Sequence, residues 1–382
     1  MTEPFNVSRR GFTKVLGAGA VFAALRPVEV LANHASVTAL NQAHLGKRVT
    51  AVGAVRLSSN ENPYGPSPAA LRAMTDAFSL AWRYPDEAED PLIEELMRIN
   101  GVSRDQILLG AGSSEILKIA AVAFTGPDRK LIVADPTFEA IAHHASSARA
   151  EVIRVPLSAD YSHDLSKMLA VINGVGLVYI CNPNNPTATI TEKTKLREFL
   201  RQTPRQTIVL IDEAYHHYAD SADYESAIPL VKDFPNLVVA RTFSKIYGMA
   251  GLRCGYCVAQ SENIRRMNVH QAFDSVNIMA LVAALASLKD KEHEAQSRQS
   301  NSEVKKYVNA ELDKLGFRSI PSQANFMMID LRREARPVIF ALREKNVAVG
   351  RFFAPLPTHM RVTIGTRPQM ETFISAFRQV MS

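Results

Sequence analysis

The chain has 382 residues, 47% hydrophobic and 21% charged, the balance of a globular protein with a large core rather than of a disordered or fibrous one. Its 44 basic and 38 acidic residues leave a formal charge of +6, and no run of Lys and Arg is dense enough for a nucleic-acid patch, so no nucleic-acid partner is expected. Three cysteines exclude a multi-bridge disulfide framework. Cys254 and Cys257 fall three apart on a predicted strand, hence on opposite faces, and neither a bridge nor a metal site is expected of them.

The first predicted element is an address. Ser8-Arg9-Arg10-Gly11-Phe12-Thr13-Lys14 precedes a Gly/Ala-rich apolar run from Val15 to Leu25, in the order of a signal's basic and apolar regions. The run is too short to span a bilayer, which takes about 20 residues. The Ser-Arg-Arg-Gly-Phe-x-Lys order resembles a bacterial twin-arginine export signal. That resemblance implies a signal peptide over residues 1–32, cleavage after Ala32, passage of the folded protein through the twin-arginine export machinery, and a periplasmic location. If the signal is not used, the protein stays cytoplasmic.

Beyond a polar stretch near residues 33–50, short β-branched runs recur at Ile107–Leu109, Leu131–Ala134, Leu177–Cys181, Ile208–Ile211, Leu237–Ala240 and Gly255–Val258. Each is nearly continuous in hydrophobicity, as strands covered on both faces are. Helical patterns such as Ser113–Phe124 and Glu192–Gln202 lie between them. This alternation predicts an α/β fold with a mainly parallel sheet and helices on both sides. From about Asn277 the pattern changes to a long helical stretch, Met279 to Leu315, then short strands at Ala324–Asp330 and Met360–Ile364 in a smaller C-terminal unit. The segment Arg56–Tyr64 is expected to fold back onto that unit.

Ligands in open α/β sheets bind beyond the carboxyl ends of the strands, and in this chain those ends carry chemistry. After Ile107–Leu109 come Gly110-Ala111-Gly112-Ser113-Ser114-Glu115, small residues opening a helix, where backbone amides and the helix dipole suit an anion. Phe138 follows the next strand and offers a ring that could stack on a heterocycle. Asn182-Pro183-Asn184-Asn185-Pro186-Thr187 is a stiff turn that fixes Asn185 as a donor. Asp212 emerges from an apolar strand, costly unless a cation meets it, with Tyr215 three residues on. His216 and His217 read as structural. Lys245 sits between hydroxyl residues and a Gly-rich loop, where an amine can be held partly desolvated, and Arg253 can return to a phosphate.

Taken together, Leu57-Ser58-Ser59-Asn60-Glu61-Asn62-Pro63-Tyr64-Gly65-Pro66, Tyr84-Pro85-Asp86, the Asn-Pro-Asn-Asn-Pro-Thr turn, Asp212-Glu213-Ala214-Tyr215, Thr242-x-Ser244-Lys245 with Arg253, and Arg361-Val-Thr-Ile-Gly-Thr366 resemble the fold-type-I aminotransferases of class I/II, in the branch around histidinol-phosphate aminotransferase. The resemblance implies an aspartate-aminotransferase-like large domain over 86–276, a smaller α/β domain over 277–382, and a segment over 33–85 that packs on the small domain and a dimer partner. It implies pyridoxal 5'-phosphate as cofactor, carried as an imine by Lys245, with Lys245, Asp212 and Tyr215 catalytic. Asp212 would hold the ring nitrogen protonated, Tyr215 and Asn185 would bind the ring oxygen, and Phe138 would stack. Ala111, Gly112, Ser113, Thr242, Ser244 and Arg253 would hold the phosphate, joined by Tyr84 from the other subunit of a homodimer. Arg361 would clamp the substrate carboxylate, with Arg351, Asn185 and Tyr64 also facing an amino donor or a 2-oxo acid acceptor.

Two departures stand out. Ala188 replaces the family's usual glycine, so a Cβ is expected near the cofactor side. Val349-Gly350-Arg351-Phe352-Phe353 stands where the family reads Val-Arg-Pro, which loosens the case for a phosphorylated substrate. An exported enzyme also suits the histidine pathway poorly, which points to an amino-acid-derived metabolite met outside the cytoplasm. The alternatives are decarboxylation of an amino acid phosphate on the same scaffold, a tailoring transaminase for an exported metabolite, and a non-catalytic binding protein. Retention of Lys245, Asp212 and Arg361 together speaks against the last.

Overall fold

Valine, isoleucine and leucine runs become strands because branched side chains pack well on a pleated surface. The computed structural model describes residues 54–382, so the expected signal peptide and its cleavage position lie outside the described residues. In chain order the strands are β1 (Val55–Arg56), β2 (Ile107–Gly110), β3 (Lys130–Asp135), β4 (Val152–Pro156), β5 (Val175–Cys181), β6 (Ile208–Asp212), β7 (Leu237–Thr242), β8 (Gly255–Ala259), β9 (Arg318–Ser319), β10 (Phe326–Asp330), β11 (Val347–Ala348) and β12 (His359–Thr363). Seven of them form one sheet in the order β2-β8-β7-β6-β5-β3-β4, all parallel except β8. The edge strand β4 has no counterpart among the sequence-predicted strands. Arg154 and Pro156 interrupt its apolar run, which an edge position tolerates.

Helices cover both faces of this sheet, and each face has its own apolar core. The helix Ile278–Lys289 packs against the helices Pro68–Ala77 and Asp86–Asn100 and belongs to the core on one face of the large sheet. It also corrects the expectation of one unbroken helix from 279 to 315. The chain breaks at Asp290, whose carboxylate accepts a hydrogen bond from the His293 amide and caps a second helix, Lys291–Lys314. Neither glycine nor proline marks the break, so the apolar pattern runs straight through it.

The C-terminal sheet has β10 at its centre, antiparallel to β9 and β12, and Met328 pairs with Arg361 across it. β1 runs parallel beside β11, and the Leu57 side chain enters the core of this part of the chain. The backbone of Leu57 also joins both elements, its amide donating to Ala348 O and its carbonyl accepting from the Thr363 amide. The segment after Arg56 is thereby drawn across the molecule, between the large sheet and β12.

Candidate active site

The register of the parallel strands gathers the site. Cys181 pairs with Asp212, and Asp212 with Ala240, so the loops after β5, β6 and β7 leave the sheet side by side. They line a cavity of about 240 Å³ together with Ser59, Asn60, Ser113, Phe138 and Arg361. Of the residues singled out in the sequence, Lys245, Asp212, Tyr215, Asn185, Phe138, Ser113, Thr242, Ser244, Arg253 and Arg361 all border this one space.

Asp212 lies at its floor, 2% exposed. Its Oδ2 accepts from the Tyr179 hydroxyl at 2.9 Å and its Oδ1 from the Ala214 amide at 3.1 Å. Burial pushes the carboxyl up to about 6, and those two hydrogen bonds oppose the rise. Lys245 Nζ donates to the carbonyl of Asn60 at 3.1 Å and lies 5.3 Å from the centre of the Tyr215 ring. Burial, helped by the Arg361 charge, brings this amine down to about 8, within reach of neutral pH as a nucleophile or base. The Tyr215 hydroxyl accepts from Asn60 Nδ2 at 3.1 Å.

At one side the donors suit an anion. Thr242 Oγ1 donates to Ser244 Oγ at 2.9 Å, and Arg253 Nη1 donates to the same Ser244 oxygen at 3.3 Å. The helix Ser113–Phe124 starts beside them after Gly112, whose positive φ of 78° and contact with Arg253 both demand glycine, since a Cβ would collide with the guanidinium. Hydroxyls, a guanidinium and a helix N-terminus make a donor set that fits a phosphate monoester. Ala111 does not border the cavity in this structure, and its amide is already given to Glu115 Oε2 at 2.6 Å.

On the opposite side Arg361 is part of β12. Its Nη1 donates to Asn185 Oδ1 at 2.6 Å and its Nη2 to Ser58 O at 2.8 Å, while the buried Nε has no partner among the described residues. A half-buried guanidinium that borders the cavity fits a carboxylate ligand. Asn185 spends its oxygen on Arg361 and keeps its amide hydrogens for a ligand. A buried carboxylate and a desolvated amine bordering one cavity with a phosphate-type donor set fit pyridoxal phosphate.

The other predicted residues are placed differently. Tyr64 and Tyr84 are exposed and outside the cavity lining. Arg351 is also outside it, ion-paired to Glu139 at 2.7 Å and resting 4.3 Å above the Phe353 ring. Arg361 approaches that same ring, at 5.4 Å. The expected Cβ near the cofactor is corrected: Ala188 is wholly buried in the core of the large sheet, away from the cavity, in a left-handed conformation with φ 62°. His216 and His217 stack on each other at 3.6 Å, and burial holds both neutral.

Sequence reasoning missed Ser59, Asn60, Ser114, Ala250 and Tyr179. Four of these border the cavity, and Tyr179 touches it only through Asp212. The signal for Tyr179 was present in strand parity, because residues 179 and 181 share a face and Cys181 pairs with Asp212. Asn60 carried no such signal, since its carbonyl accepts from Lys245 and its Nδ2 donates to Tyr215, both distant in sequence.

The family model "Aminotransferase class I and II" matches residues 52–377. A histidinol-phosphate aminotransferase of Moorella thermoacetica is 42% identical over 333 residues, covering 86% of each chain. The crystal structure of histidinol-phosphate aminotransferase from Sinorhizobium meliloti in complex with pyridoxal-5'-phosphate is similar with a TM-score of 0.81 at 26% identity, covering 86% of this chain and 90% of that one. A variant of Thermus thermophilus aspartate aminotransferase shares the fold with a TM-score of 0.75 at 20% identity, over 85% of this chain and 96% of that one.

Proposed function

Because this chain belongs to the class I and II aminotransferases and is a pyridoxal-phosphate-dependent transaminase, we propose that Lys245 is the amine that carries the cofactor and Arg361 the clamp for the carboxylate of its amino acid or 2-oxo acid substrates. The observation that carries this reading is the convergence of Lys245, Asp212 and Arg361 on one cavity. When bound, the cofactor supplies an electron-accepting ring that stabilises negative charge at the substrate's α-carbon. Asp212 pairs with the ring nitrogen, Tyr215 and Asn185 meet the ring oxygen, and Phe138 packs on the ring. Ser113, Thr242, Ser244 and Arg253 hold the phosphate at the helix start, with the Gly112 backbone closing on them.

Lys245 then has two tasks set by its surroundings. Its amine, brought down from 10.5 to about 8, loses its proton far more readily near neutral pH than an ordinary lysine, so Nζ can take a proton from the α-carbon and return it to a neighbouring atom. Arg361 holds the carboxylate by a planar fork, which fixes the α-carbon with respect to Nζ. Arg351 and Glu139 lie outside the cavity lining but next to it through Phe353 and Phe138, and are the charged groups we assign to the distal part of the substrate. Their joint charge suits an amino-acid-derived donor of the general kind for which the histidinol-phosphate relatives are named, with a side chain that is polar rather than obligatorily phosphorylated.

The active unit is read as a homodimer. Trp82 is 74% and Tyr84 78% exposed, and Phe273 is 99% exposed on the loop before Ile278. Aromatic residues so placed suit burial by a second copy, with Tyr84 reaching the partner's phosphate site. Mixing a Lys245→Ala chain with a Tyr84→Ala chain should recover activity through hybrid dimers, and no recovery would reject the shared site. The Arg9-Arg10 pair supports export by the twin-arginine route to the periplasm. Replacing both arginines with lysine should strand the enzyme in the cytoplasmic fraction, and an unchanged distribution would remove the assignment.

The central test is chemical. Protein supplied with pyridoxal phosphate and trapped with borohydride should carry the cofactor on the peptide containing Lys245. A panel of amino donors should then bleach the visible band of the untrapped protein and yield 2-oxo acids. Label on another lysine, or none, overturns the role of Lys245.

A further inference from the structure

The geometry points to Tyr179 as a positioning residue for the reaction, its phenol fixing both the orientation and the negative charge of the Asp212 carboxylate. The inference rests on the reading of Asp212 as the partner of the cofactor's ring nitrogen. Tyr179 lies in the middle of β5 and is completely buried among apolar neighbours. A hydroxyl in such a place is costly if left unpaired, and leucine or valine would fill a central strand without that cost. The hydroxyl is used: it donates to Asp212 Oδ2 at 2.9 Å.

The register explains how the two meet. β5 and β6 pair as Tyr179 with Leu210 and Cys181 with Asp212, so Tyr179 sits diagonally behind Asp212 on the same face of the sheet. Among the described residues, no side-chain cation is hydrogen-bonded to Asp212. Burial alone drives its carboxyl towards the neutral form, and the strongest opposing influence is the Tyr179 hydrogen bond, ahead of the Ala214 amide and the more distant Lys245 charge. Glu213 adds a push towards the neutral form, while Cys181 and Tyr215, the other titratable neighbours, stay protonated because burial raises both. A carboxylate that must hold a ring nitrogen protonated has to be an anion and has to point along one line. The Tyr179 hydrogen bond supplies both conditions from behind.

Tyr179→Phe removes one oxygen and keeps the ring. Against wild type, its dissociation constant for pyridoxal phosphate should rise about tenfold, since a hydrogen bond to a charged group contributes roughly 1.5–3 kcal/mol. The pH at which the visible band of the holoenzyme titrates should shift, and kcat should fall with KM for the donor unchanged. In an Asp212→Asn background the same substitution should cost no further affinity, because the two residues act through one contact. Equal affinity and an unchanged titration in the single variant overturn the inference, as does an equal loss in both backgrounds. A Tyr179→Phe protein that does not fold makes the phenol merely structural and overturns it too. Wild type that takes up no pyridoxal phosphate would instead overturn the reading of the whole site.

Discussion

The floor and the mouth of the cavity are built on different terms. At the floor, Asp212, Tyr215, Thr242 and Ser244 are buried, leave adjacent strand ends and are fixed by hydrogen bonds of 2.9–3.1 Å. What we take as the mouth lies beyond the cavity lining, where Glu139, next to Phe138 in the chain, and Arg351 are more than half exposed and hold each other. A buried polar group is expensive unless satisfied, which leaves the floor few alternatives. An exposed ion pair is worth about 0–1 kcal/mol and is readily exchanged for another partner. The floor therefore defines a cofactor and a reaction class, and the mouth can be altered to admit different substrates. Arg361 lies between these regimes, half-buried with only its Nε fully enclosed, and facing the substrate like the mouth.

The largest test of this contrast is at Arg361. Lysine keeps the charge and loses the planar fork that meets Asn185, Ser58 and a carboxylate together. Arg361→Lys should lower kcat/KM for amino acid donors about a hundredfold, about 3 kcal/mol of transition-state stabilisation, with cofactor affinity unchanged. Steady-state kinetics beside a cofactor titration would measure it. A loss of cofactor affinity of the same size would move Arg361 from the substrate side to the floor.

At the floor itself the cost of burying a charge should appear as pH dependence. The Asp212 carboxyl is raised from 3.8 to about 6 in the folded protein. A raised value means that the fold binds the proton more tightly than the unfolded chain does. The associated stability is fully present below about pH 4 and is lost as the pH rises through 6, on the order of 3 kcal/mol in the cofactor-free protein. Urea unfolding of the apoenzyme between pH 4 and 6.5 should show this fall, and Asp212→Asn should flatten it. Equal slopes for the two proteins would mean that Asp212 is better solvated than its burial implies.

A smaller effect is expected at the mouth. Glu139→Gln releases Arg351 and removes a negative charge from the substrate's path. It should raise kcat/KM for donors with a distal anion by about three- to fivefold relative to neutral donors, in line with an exposed pair. Added salt should shrink the difference. A ratio that does not move would place Arg351 outside the substrate's reach.

The same contrast governs what was legible in the sequence. Strand ends bearing Asp212, Lys245 and Asn185 stood out because a polar residue closing an apolar run demands a partner, and parallel strands bring such residues together. The helix break at Asp290 was hidden, since no glycine or proline accompanies it and the cap is a single carboxylate. Asn60 was hidden for another reason: Lys245 uses its carbonyl, which every residue possesses, and its side-chain amide meets Tyr215 only through the fold. The Arg351–Glu139 pair links residues far apart in sequence and depends on how the C-terminal sheet packs, which no local pattern encodes.

The smallest expected effect concerns Ala188, where the sequence suggested a Cβ near the cofactor. The left-handed conformation costs an alanine about 1 kcal/mol relative to glycine. Glycine at the same place gives up a buried methyl group, about 0.8 kcal/mol, and adds freedom to the unfolded chain, another 0.4–1 kcal/mol. These terms oppose each other, so Ala188→Gly should change stability by less than about 1 kcal/mol in either direction. The Cβ enters the core and not the cavity, so KM for every donor should also stay within about twofold. A selective fall in KM for bulky donors would mean that the turn after Asn185 shifts towards the substrate on binding, and that position 188 belongs functionally to the mouth although it is packed with the floor.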